Sequence, residues 1–256
     1  MLSVAFTMKE KKDTSARVPQ REKIKGTLDL RPFPWTPRQK TLIDLALDKQ
    51  TRIIFLSGPA GSTKTILAVY AALELLNQHR VSDILYIRSA VESADKSLGF
   101  LPGTADDKMA YYGIPLYEKL EELLPKSDIT ALAKDKRITV MPVNYVRGQS
   151  WNARVAVIDE AQNLTEKELF TILTRLGKFS KAFVLADPMQ SDINGKSGGF
   201  AKLAKWFADP VGNANGVHSI QLEKADILRD DLIKFLIERY EMLKQTEAQP
   251  SGHART

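Results

Sequence analysis

Cysteine is absent from all 256 residues. Disulfides, thiolate nucleophiles and cysteine-ligated zinc are therefore excluded. Histidine is scarce: His79, His218 and His253 lie scattered and give no pattern for a histidine metal site. No apolar run reaches the roughly 18 residues that a membrane span needs. The start, MLSVAFTMKEKKD, does not read as a secretory signal, because no basic stretch precedes its short apolar part. The expectation is a cytoplasmic chain, bacterial or phage-borne in its host, with no membrane partner.

Hydrophobic residues make up 43% and charged residues 27%, enough for the core of one α/β domain of ordinary size. The net charge of +6 is unevenly placed. Residues 1–40 hold ten Lys/Arg against four Asp/Glu, and the remainder holds 27 of each. Residues 1–30 are basic, rich in Ser, Thr and Pro, and without period. They read as a disordered arm that either contacts a polyanion or only solubilises the chain. A folded domain is expected over 31–245 and a disordered tail over 246–256.

Within that domain, Thr36 and Pro37 mark a helix start, as N-cap and first-turn proline. RIIFLS (52–57), DILYIR (83–88), RVAVID (154–159) and KAFVLA (181–186) are short and nearly all apolar, which suits strands buried on both faces. RITVMPV (137–143) and GVHSIQL (216–222) are also strand-like. The helix TILAVYAALELLNQH follows the first strand. Residues 92–115 read as a long functional loop, and PLYEKLEELL reads as a helix beginning near Pro115. Thr165 with Glu168 forms a capping box. Residues 227–243 read as a closing amphipathic helix. Alternating strands and helices predict a parallel sheet covered on both faces.

Three segments carry chemistry. GPAGSTKT (58–65) lies between a strand and a helix, the context of a phosphate loop. Its residues Gly58, Pro59, Ala60, Gly61, Ser62, Thr63, Lys64 and Thr65 would surround phosphates with backbone N–H groups. Lys64 would reach the β- and γ-phosphates and the Thr65 hydroxyl would sit on Mg²⁺. Thr63 stands where the usual pattern has glycine, which places a side chain where close approach to phosphate is expected. In VAVIDEAQN a buried strand ends in Asp159, placed to hold Mg²⁺, and Glu160, placed to polarise an attacking water. Two acids ending a strand can also be plain surface charge; the phosphate loop earlier in the chain tells against that. In FVLADPMQSDI a third strand ends at Asp187, and Gln190 could bond a γ-phosphate or its attacking water. In an open parallel sheet, ligands gather at the strands' carboxyl ends.

GPAGSTKT, LYIRSAVES with LGFLPG, VNYVRGQSWN, VAVIDEAQN, LADPMQSDINGKSGGF and ADILRDDLI occur in one order. Together they resemble the PhoH family of phosphate-loop ATPases, over roughly residues 33–243. Such domains are similar to the first motor domain of superfamily 1 helicases, which implies a single RecA-like P-loop NTPase domain. The resemblance implies ATP and Mg²⁺ as cofactors, Gln39 near the adenine, Arg88 in the motif after the second strand, and Arg147 in the nucleotide or nucleic-acid surface. It also implies Arg229 as the arginine that stabilises γ-phosphate charge, in the same chain or across a subunit boundary. Thr63 departs from the pattern and puts the turnover rate in question.

The resulting expectation is an ATPase acting on RNA or single-stranded DNA, with Lys64, Glu160, Gln190 and Arg229 as its catalytic set. Too little chain follows residue 159 for a second motor domain. A homo-oligomer is therefore expected, with a hexameric ring as one form and hydrolysis in trans. Two other readings stay open: a nucleotide-binding partner protein with little catalysis, and a small-molecule kinase. A kinase predicts a lid rich in arginine; the segment 95–115 could be a lid but carries no arginine.

Overall fold

The computed structural model describes residues 24–88, 105–187, 198–228 and 231–248. Its elements are α1 (Pro37–Leu47), β1 (Ile53–Ser57), α2 (Lys64–Asn77), β2 (Asp83–Arg88), α3 (Ala105–Leu123), α4 (Lys126–Lys134), β3 (Ile138–Pro142), β4 (Arg154–Asp159), α5 (Glu166–Leu173), β5 (Lys181–Ala186), α6 (Gly199–Trp206), α7 (Pro210–Ala214), β6 (Val217–Gln221) and α8 (Asp231–Ala248). The six strands form one parallel sheet in the order β3-β2-β4-β5-β1-β6. This is an α/β P-loop NTPase fold.

Alternation along each strand splits the core into two layers. Ile54 and Leu56 of β1, Ile84 and Tyr86 of β2, Val155 and Val157 of β4, and Phe183 and Leu185 of β5 face the layer of α1, α2 and α3. Phe55, Leu85, Ile87, Ala156, Ile158 and Val184 face the layer of α5 and α6. Burial on both faces is why these strands read as unbroken apolar runs. Each fully buried large side chain contributes about 1.5–3 kcal/mol. Phe55 anchors the second layer, edge-on to Phe200 at 5.8 Å and stacked on Phe207 at 6.2 Å.

Three elements differ from the sequence reading. First, Pro115 lies inside α3 rather than at a helix start, so residues 105–115 are helical. A mid-helix proline removes one backbone bond, but Leu116, Leu120 and Leu123 just beyond it are fully buried and hold the helix on the core. Second, residues 24–30, expected within the arm, lie on the domain. Ile24, Leu28 and Leu30 pack against the core, and Leu28 exchanges hydrogen bonds with the Asn77 side chain. Third, among the described side chains of α8, apolar ones stay exposed: Leu232, Phe235, Leu236, Tyr240 and Leu243. The sequence period gave the stripe correctly, but periodicity does not say what covers it.

Candidate nucleotide site

Register aligns the carboxyl ends of the central strands. Arg88 pairs with Asp159, and Ser57 pairs with Ala186 on one side and Gln221 on the other. β5 lies between β1 and β4, so Asp187 falls between the phosphate loop and Asp159. A cavity of about 450 Å³ opens along this edge, within the usual size range of ligand pockets. Ala60, Gly61, Thr63, Lys64 and Thr65 line it together with Asp159, Glu160, Gln162 and Asp187.

The loop is tightly built. A Cβ on Gly58 would meet the Ser62 Oγ at 2.7 Å and the Leu222 Cβ at 2.9 Å, so only glycine fits there. The Ser62 hydroxyl donates to the Pro59 carbonyl at 2.8 Å. Gly61 takes φ 77°, and Thr63 follows at φ 65°. Thr63 therefore has the left-handed backbone that a glycine would adopt freely, which is rare for a β-branched residue. Thr63 is the N-cap of α2 but gives no side-chain cap, so the first turn of α2 is not closed off by its own capping residue. Lys64 Nζ donates to the carbonyls of Gly58 at 2.7 Å and Pro59 at 2.9 Å. Burial lowers the Lys64 pKa, against the opposing pull of Asp187, Asp159 and Glu160.

Asp159 is buried, and its carboxylate accepts the Tyr86 hydroxyl at 2.6 Å. The Thr65 Oγ1 lies 3.4 Å from both of its oxygens. Burial pushes the Asp159 carboxyl up from its ordinary value. The Tyr86 hydrogen bond opposes this, neighbouring Glu160 adds to it, and Arg88 opposes it. Burial, then Asp159, push the Tyr86 phenol up as well. Among the described residues no three His, Asp or Glu side chains cluster as a ready-made metal site. The oxygen donors nearest each other beside the loop are the Thr65 hydroxyl and the Asp159 carboxylate. Mg²⁺ prefers oxygen ligands at 2.0–2.1 Å in an octahedron, which sets neighbouring ligands about 3 Å apart. The Thr65–Asp159 spacing fits such an ion, provided nucleotide and water oxygens complete its shell.

Glu160 also has a left-handed backbone, φ 54°. Its carboxylate accepts Gln162 Nε2 at 2.6 Å and lies 3.7 Å from Arg88. Gln162 in turn accepts the backbone N–H of Asp187 at 3.1 Å, joining the ends of β4 and β5. Gln162 and Tyr86 have no role in the sequence reading. A signal existed for each: a hydroxyl in an otherwise apolar strand, and an amide two residues past Glu160.

Gln39 is fully buried and does not line the cavity. Its amide donates to Thr63 Oγ1 at 2.7 Å and to the Asp226 carbonyl at 3.2 Å, and it accepts the Thr36 N–H at 2.9 Å. Arg147 is exposed beyond β3, at the outer edge of the sheet and away from the cavity. Gln190 and Arg229 lie outside the described residues, although Leu228 next to Arg229 lines the cavity.

Comparison with known proteins points to one family. The family model "PhoH-like protein" matches residues 33–241. The chain is 36% identical over 207 residues to a PhoH-like protein of Mycobacterium tuberculosis (strain ATCC 25618 / H37Rv), covering 81% of this chain and 57% of that one. It is 35% identical over 198 residues to a PhoH-like protein of Bacillus subtilis (strain 168), covering 77% and 60%. It is 32% identical over 181 residues to Protein PhoH2 of the same organism, covering 68% and 41%. The chain thus spans less than two thirds of the length of these relatives. With a P-loop fold, a loop and acid pair at one sheet edge, and a family match over residues 33–241, this chain belongs to the PhoH-like protein family.

Proposed function

We propose that this protein hydrolyses ATP with Mg²⁺, in a manner coupled to single-stranded nucleic acid, and that it works as a homo-oligomer. The observation that carries the ATPase reading is the convergence of Lys64, Thr65, Asp159 and Glu160 on one cavity at the carboxyl edge of the sheet. Lys64 would exchange the Gly58 and Pro59 carbonyls for phosphate oxygens, a stronger charge-assisted pairing. Thr65 and Asp159 would hold Mg²⁺, which supplies charge neutralisation at the phosphates. Glu160 would orient and deprotonate the attacking water. Its carboxylate is already aimed by Gln162 and Arg88, which reduces the reorganisation needed in the reaction.

The nucleic-acid part rests on the turn after β3. Tyr145 is 65% exposed there, beside exposed Arg147. The turn is stiff: Val143 and Val146 are buried, and Gln149 Nε2 donates to the Tyr145 carbonyl at 2.8 Å. Trp151 Nε1 holds the same Gln149 at 2.9 Å. An exposed aromatic ring on a stiff turn, with an arginine two residues on, suits a stacked base and its phosphate. The oligomer rests on the exposed apolar face of α8, which a second copy would cover. Sedimentation with and without ATP tests that assembly.

Steady-state hydrolysis with and without RNA or single-stranded DNA tests the main reading. Stimulation is expected. Tight ATP binding without turnover would leave a nucleotide-binding partner protein instead.

A further inference from the structure

Beyond the phosphate loop and its acids, the cavity is lined by few side chains, among them Phe33, Ile66, Lys119, Glu122 and Leu228. Among the described residues, these are the side chains beside which a triphosphate seated on Lys64 and Thr65 would place its base. Among the described residues, Phe33 offers the one aromatic ring in that lining. Its ring packs on Trp35 with centroids 4.4 Å apart, and Trp35 meets Tyr70 edge-on at 5.2 Å. Phe33 is thus a backed wall. Stacking on such a wall tolerates any base, because every base has a π-face.

Reading adenine against guanine needs fixed donors and acceptors aimed at the base edge. The residue expected to do this, Gln39, is 0% exposed, and both of its amide hydrogens are engaged by Thr63 and Asp226. The neighbouring backbone has few N–H donors to offer. Pro32, Pro34 and Pro37 carry no N–H. The N–H groups of Arg31, Trp35 and Thr36 go to the Leu123 carbonyl, the Phe33 carbonyl and Gln39 Oε1. Lys119 and Glu122 pair with each other one turn apart on α3, and Glu122 is 44% exposed. An ammonium and a carboxylate side by side offer a donor and an acceptor to either purine.

Resting on the NTPase reading above, we propose that this site selects its nucleotide through the triphosphate and through stacking on Phe33, and accepts GTP as well as ATP. Gln39 is then a positioning residue for the loop, not a reader of the base.

The test is competition of ATP, GTP, CTP and UTP against a fluorescent ATP analogue, on the wild type, Phe33→Ala and Phe33→Leu, with folding checked by circular dichroism. Dissociation constants for ATP and GTP within about tenfold of each other are expected, and Phe33→Ala should weaken both by a similar factor of about ten. Phe33→Leu keeps apolar volume but loses the ring, and should weaken both nucleotides too. A preference for ATP above about tenfold overturns the proposal, since such a ratio requires a hydrogen-bonded reader. So does wild-type affinity in Phe33→Leu. Failure of every nucleotide to bind would instead remove the NTPase reading itself, and this inference with it.

Discussion

The side-chain amide of Gln39 donates to the hydroxyl of Thr63 at 2.7 Å, joining α1 to the phosphate loop. The same hydroxyl donates to the Ser62 carbonyl at 2.6 Å. Gln39 also reaches the Asp226 carbonyl, and Asp226 accepts the Thr36 hydroxyl at 2.9 Å. Thr63, which looks like a defect in the motif, is therefore a joint between the loop and the chain that leads to Leu228.

Thr63→Gly should leave stability nearly unchanged and lower turnover. Releasing a left-handed β-branched residue gains about 1–2 kcal/mol. Losing the hydroxyl strands a buried Gln39 donor at a cost of about 1–3 kcal/mol. Gln39→Ala should destabilise by a similar amount, and the double variant by less than the sum. Urea unfolding and steady-state kinetics check this. A faster Thr63→Gly enzyme would show that the side chain hinders closure on phosphate.

Glu160→Gln should cut hydrolysis by about 10²–10⁴ while ATP still binds. Gln162→Ala removes the amide that aims Glu160 and should lower kcat by about tenfold, the worth of one ordered hydrogen bond. Its effect should fall on kcat rather than on nucleotide affinity. Single-turnover kinetics separate the two. An unchanged rate in Glu160→Gln would remove it from the chemistry.

Tyr145→Ala should weaken binding of single-stranded nucleic acid by about 1–3 kcal/mol. Arg147→Ala should also reduce the slope of log affinity against log salt by about 0.7, the share of one phosphate contact. Fluorescence anisotropy across a salt series reads both. An identical salt slope in Arg147→Ala would mean that it meets no phosphate.

Lys181 predicts a pH dependence far from the site. It is buried at the start of β5, and its ammonium donates to the carbonyls of Ala46, at 2.9 Å, and Asp48. Burial, then Arg80, lower its pKa from 10.5 to about 8. Between about pH 8 and 10.5 the unfolded chain holds a proton that the folded chain has released, so stability rises with pH across that window. Denaturant midpoints at pH 7.5 and 9.5 should rise more in the wild type than in Lys181→Met. An equal rise would place the titration elsewhere.

Local chemistry determined much of this protein. Apolar runs marked the four central strands β1, β2, β4 and β5, because burial on both faces leaves little polar alternation to interrupt them. Thr36 with Pro37, and Thr165 with Glu168, marked two helix starts through caps that need only adjacent residues. The phosphate loop and the Asp159–Glu160 pair were legible for the same reason. Tertiary structure alone decided what they do together. Nothing local specifies that β5 inserts between β1 and β4 and sets Asp187 beside the loop, since strand neighbours are chosen by packing over long chain separations. Nothing local buries Gln39 behind Thr63 and bonds it there, or makes Gln162 the link between Glu160 and β5. Those roles depend on which partner lies within hydrogen-bond reach, and residues far apart in the chain meet only once the sheet has closed.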